Sequence, residues 1–145
     1  MGEWVSPYII AAGLGWIVAQ FLKYVVASIK TRRIASLRQL YMSGSMPSAH
    51  SATVVALLVT VGVSEGINSA MFGLALAFSA VVMYDALMVR RSSGEQGLAI
   101  TALILEQDSK VPLPRVAKGH TPLEVAAGAI IGCVIGLFVS LVFFV

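Results

Sequence analysis

Four long apolar stretches, set apart by shorter polar segments, give this chain its pattern. They run over Val5–Ile29, Ser48–Ser64, Ala70–Val89 and Pro122–Val145. A helix crossing the hydrocarbon core of a bilayer needs about 20 predominantly apolar residues, with a working range of about 17–25. Each stretch therefore predicts a transmembrane helix, the second being the shortest. A fifth apolar segment, Glu95–Gln107, is too short to cross and predicts a short interfacial or re-entrant helix. The expected fold is all-α: a polytopic membrane bundle of about four transmembrane helices plus that short helix, in a single domain over residues 1–145.

Local signals sharpen two of the helix starts. Thr121 with Pro122 and Glu124 makes a T-x-x-E capping box with proline at the first helical position. Ser48, after Pro47, is placed to cap the second span. In the last span Gly128, Gly132 and Gly136 recur every four residues, a stripe that lets helices approach closely, either within the chain or across a homodimer. The first apolar stretch has span length and no basic segment before it, so it reads as a membrane helix rather than a removable signal peptide.

Composition agrees with the membrane assignment. Hydrophobic residues make up 58% and charged residues 12% of 145, against about 25% charged in soluble domains. The mean hydropathy is +0.89. The ten basic residues are Lys23, Lys30, Arg32, Arg33, Arg38, Arg90, Arg91, Lys110, Arg115 and Lys118. All fall at the end of span one, between spans one and two, or between spans three and four. The positive-inside bias then puts both long loops in the cytoplasm and both termini outside. No basic face carries interleaved aromatics, which argues against a nucleic-acid partner. No nucleotide loop or metal-ligand cluster is present, so no metal or cofactor is expected. The single cysteine, Cys133, has no partner for a disulfide and reads as a small packing residue of the last span.

That topology gathers the chemistry-bearing residues on one face. His50 precedes the apolar run of span two, and His120 precedes span four. His120 and Glu124 are four apart and share a helix face, where the carboxylate can fix the imidazole tautomer or simply close the capping box. Arg90 and Arg91 end span three, where they can anchor the helix or clamp a phosphate with bidentate hydrogen bonds. Lys23 falls inside span one and needs a partner or a cavity, and Lys30 follows two turns later on nearly the same face. Asp85, inside span three, is placed to neutralise one of these cations, or to serve a transport or proton relay. Two histidines, a carboxylate and clustered cations at a membrane surface suggest chemistry on a lipid phosphate.

The residues in order also resemble a family. Pro47-Ser48-Ala49-His50 resembles the P-S-G-H element of the type 2 phosphatidic acid phosphatases, the superfamily that includes the vanadium haloperoxidases. Lys23 and Lys30 are spaced as in its K-x6-R-P element, with Lys30 in the arginine position and Thr31 in that of the proline. His120 and Glu124 resemble its H-x3-D, with Glu for Asp. Pro114 occupies the place of that element's arginine, which Arg90 or Arg91 would supply from the end of span three, with Ser92–Gly119 as an insertion. Length and the Tyr84-Asp85 to Arg91 segment further resemble the small, divergent membrane branch of the superfamily.

The resemblance implies a metal-independent phosphatase acting on a phosphatidylglycerophosphate, phosphatidic acid or polyprenyl phosphate type of lipid. His120 would form a phosphohistidine, oriented by Glu124, and His50 would act as general acid and then base. Lys23, Lys30, Arg90 and Arg91 would neutralise the phosphoryl oxygens, helped by backbone amides near Ser48. Two other classes compete with this reading. One is a lipid or anion carrier that keeps the phosphate site without turnover, which the substituted motif positions and Asp85 favour. The other is a structural membrane subunit, favoured by the glycine stripe.

Overall fold

The computed structural model describes residues 5–32, 46–114, 116 and 119–145, most of them in helices. α1 spans Pro7–Thr31, α2 Ala49–Ser64 and α3 Ala70–Tyr84. One π turn, Asp85–Val89, leads without a break into α4, Arg90–Glu106, and α5 closes the chain at Pro122–Phe144. The chain is a polytopic helical membrane protein. α1, the continuous Ala70–Glu106 helix and α5 are each long and apolar enough to cross a bilayer, and α2 is a shorter apolar helix.

Helix starts follow the side chains that satisfy their free amides. Ser48 accepts from the Ser51 amide, Ser69 from that of Phe72, and Thr121 from that of Glu124. The capping box at α5 is complete in both directions. Pro7 sits in the first turn of α1, where a missing N–H costs nothing, and Arg32 ends that helix in the left-handed conformation at φ 49°.

α2 occupies the middle, packed by α5, α1 and α3. A helix of 16 residues rises only about 24 Å, less than the hydrocarbon core of a typical bilayer, and longer neighbours enclose it. In a bilayer the tails outside are as apolar as leucine, so association rests on close packing and interhelical hydrogen bonds. The α5 stripe supplies the close packing. A Cβ on Gly128 would collide with the Ser48 carbonyl, one on Gly132 would lie 2.6 Å from that of Ala52, and one on Gly136 would lie 2.7 Å from that of Ala56. Gly15 of α1 approaches the Ala52 carbonyl from another side, where a Cβ would lie at 2.9 Å. The stripe is thus occupied within the chain, and a homodimer through the same face would have to compete with α2. Thr60 and Ser79 add side-chain hydrogen bonds to Gly136 O at 3.4 Å and Val54 O at 3.1 Å on neighbouring helices.

Two expectations change. The short helix expected at Glu95–Gln107 exists, but as the outer part of one helix continuous from Ala70. Ser92-Ser93-Gly94 resembles a break, yet Gly94 and Gly97 are buried, and a Cβ on Gly97 would lie 3.3 Å from the returning Val116. Gly97 serves a close approach rather than a helix end. Cys133 lies exposed on the outward face of α5 instead of in the packing.

Candidate functional site

The site is built where the start of α2, the π turn and the start of α5 converge, and backbone groups hold these three segments together. The Ser48 amide donates to the Glu124 carbonyl at 3.0 Å, and the His120 amide donates to the Ala86 carbonyl at 3.0 Å. Gly119 lies directly on the Arg91 backbone, where a Cβ would be 2.7 Å from the Arg91 amide nitrogen. Any side chain at position 119 would push His120 off the π turn.

His120 is buried, at 7% exposure, while His50 stands exposed at the first turn of α2. His120 Nδ1 lies 3.2 Å from Glu124 Oε2. The same carboxylate oxygen accepts the Thr121 amide at 3.0 Å, so Glu124 caps α5 and orients the imidazole at once. A carboxylate on Nδ1 favours the proton there and leaves Nε2 with its lone pair. Lys23 is buried at 8% exposure and lies in electrostatic reach of Glu124. His50 in turn feels the charges of Arg90, His120, Lys23 and Asp85, which puts five ionisable groups from four helical segments in one neighbourhood.

The π turn does specific work here. Its hydrogen bond runs from the Arg90 amide to the Asp85 carbonyl, five residues back, which stacks residues that an α-helix would splay apart. Arg90 Nε then donates to Asp85 Oδ2 at 2.7 Å. Arg91 points elsewhere, pairing with Glu95 along α4 at 3.1 Å, and both of those side chains are largely exposed.

The sequence-derived site residues therefore divide. His120, Glu124, His50, Lys23, Arg90 and Asp85 come together. Lys30 is exposed about 10 Å further along α1 than Lys23, and Arg91 faces away. Ser48 is fully buried and its hydroxyl accepts from the Ser51 amide and hydroxyl, at 3.3 and 2.9 Å, so it shapes the loop rather than offering itself to a ligand. The basic residues Arg33, Arg38, Arg115 and Lys118 lie outside the described residues. Sequence reasoning missed Ala86, Ser51 and Gly119. Only Gly119 left a signal, a glycine directly before a candidate histidine.

A family model described as "Divergent PAP2 family" matches residues 5–135. The chain belongs to that family. It is also 31% identical over 142 residues to the "Uncharacterized membrane protein YuiD" of Bacillus subtilis (strain 168), covering 88% of this chain and 89% of the relative. No solved structure matches the chain.

Proposed function

We propose that this family member is a membrane-embedded phosphatase that hydrolyses a lipid phosphate monoester through a phosphohistidine. The observation that carries the reading is the His120–Glu124 pair, with Nδ1 held by a carboxylate beside a second histidine and two cations. That is the arrangement of an activated nitrogen nucleophile.

In the first step His120 Nε2 attacks phosphorus and the bond from phosphorus to the lipid oxygen breaks. His50, as imidazolium, gives its proton to that oxygen, and the lipid leaves as an alcohol. His50, now neutral, takes a proton from water, whose oxygen attacks the phosphohistidine. The N–P bond breaks and inorganic phosphate departs, with both histidines restored. Glu124 stabilises the charge that His120 gains on attack, and Lys23 and Arg90 offset the charge on the phosphoryl oxygens. No step in this sequence calls for a metal.

The clustering of basic residues at this end of the bundle supports a site facing the cytoplasm, with the substrate arriving laterally in the inner leaflet. A glycerophospholipid phosphate is the favoured substrate class.

A second reading, a lipid or anion carrier without turnover, draws on one observation. Arg90 is already ion-paired with Asp85, which weakens the clamp available for a transition state. Phosphate release by purified protein, measured over a panel of lipid phosphates with EDTA present, separates the two. Turnover that vanishes in both His120→Ala and His50→Ala and is blocked by vanadate supports the enzyme. Well-folded protein that binds vanadate yet releases no phosphate from any lipid favours the carrier.

A further inference from the structure

α1 and α3 both pack on α2 and leave a groove between them, with α2 as its floor. Two cavities of about 420 and 430 Å³ lie along it and share Tyr8 and Leu57. One is walled by Ala12, Gly13 and Trp16 of α1, the other by Leu74, Ala75 and Phe78 of α3. Their lining is apolar. Thr53 donates its hydroxyl to the Ala49 carbonyl at 2.9 Å, and the Tyr8 hydroxyl is engaged by Ser64 and Glu65.

The register of the helices links this groove to the histidines. On α2, His50, Thr53, Leu57 and Val61 recur at three- and four-residue spacing and so lie on one face. On α1, Trp16 and Lys23 are seven apart, two turns along the same side. The floor of the groove therefore starts at Thr53, one helical turn from His50, and runs about 12 Å to Val61, ending against the Tyr8–Glu65 hydrogen bond. A peptide segment would find no backbone partners on walls this apolar, whereas a hydrocarbon chain needs none.

We infer that this groove seats one hydrocarbon chain of the lipid whose phosphate the histidine cluster takes, with the Tyr8–Glu65 pair as the stop at its far end. The inference rests on the proposed function for its headgroup, but its test does not depend on turnover. Purified protein in lipid nanodiscs would be irradiated with a phosphatidic acid carrying a diazirine at the end of one acyl chain, and with the same label on phosphatidylcholine.

The expected result is adducts on the segments 53–61 and 71–78 from the phosphatidic acid probe, about tenfold above the phosphatidylcholine probe, the factor that one charged contact to the phosphate supplies. Unlabelled phosphatidic acid should compete them away, and Leu57→Trp should abolish them. Leu74→Trp, on an exposed wall, serves the same purpose should Leu57→Trp fail to fold. Equal labelling by both probes without competition would mean only surrounding lipid, and would overturn the inference. Specific groove labelling without phosphate release would keep the groove and sink the phosphatase. Phosphate release with adducts spread over the outward face of α5 would do the reverse.

Discussion

Arg90 donates to Asp85 at 2.7 Å across a π turn, while its neighbour Arg91 bonds Glu95 one turn further along the helix. Two adjacent guanidiniums thus have different fates, decided by one extra residue in a helical turn. Arg90→Ala should weaken inhibition by vanadate by about tenfold or more, as expected for loss of a hydrogen bond to a charged group. Arg91→Ala should change it by less than about twofold, since an exposed ion pair contributes little. Inhibition curves for both variants check this, and equal effects would contradict the division of roles.

The lysines of α1 divide in the same manner. Lys23→Ala should lower phosphate release by about 10²-fold, the scale of losing one positioned charge at a transition state. Lys30→Ala should leave it within about twofold. The comparison is of initial rates at saturating lipid, with circular dichroism as the check on folding.

Glu124 carries two duties, and substitution can separate them. Glu124→Gln keeps an oxygen that can accept the Thr121 amide but removes the charge beside His120. Phosphate release should fall by about 10²–10⁴-fold while the melting temperature moves little. Thr121→Ala should show the opposite balance, costing about 1 kcal/mol of stability with a smaller effect on rate. Thermal unfolding in detergent alongside activity distinguishes them.

The glycine stripe is tested by bulk. Gly132→Val forces a side chain into the Ala52 carbonyl and the Val55 side chain, and should destabilise the protein by about 1–3 kcal/mol. Gly73→Ala, where a Cβ meets nothing within 4 Å, is the matching control and should be neutral. Equal melting temperatures for the two would show that α2 and α5 do not depend on this contact.

Orientation has its own assay. In a Cys133→Ser background, Lys110→Cys should react with a membrane-impermeant maleimide only from the cytoplasmic side, and Ile67→Cys only from outside. Reversed labelling would invert the proposed topology.

Much of the architecture was legible because the bilayer imposes it. Apolar runs of span length marked α1, α3 and α5, the capping box at Thr121 marked the start of α5, and the glycine spacing marked a close helix contact. What escaped the sequence depends on long-range backbone geometry. Nothing in Asp85–Val89 announces a π turn, since it contains neither glycine nor proline. Its neighbourhood is fixed by the His120 amide on Ala86 and by Gly119 on Arg91, partners about thirty residues away in sequence. For the same reason His120, Glu124 and Asp85 could be named from motif and spacing, whereas the separation of Arg90 from Arg91 could not. Ser48 was legible as a cap, and its hydroxyl is spent on Ser51.

The unbroken helix from Ala70 to Glu106 acts as a depth gauge for the chemistry at its midpoint. Twenty residues separate Ala70 from Arg90, a rise of about 30 Å, which equals the thickness of a typical hydrocarbon core. Were Ser69 placed at one surface, Arg90 would reach the other, and α4 would continue past it. In a thicker bilayer the waterline would climb beyond the π turn and drown the histidines in lipid tails; in a thinner one it would retreat and leave them in water. On that placement, membrane thickness itself would become a determinant of how this site is wetted.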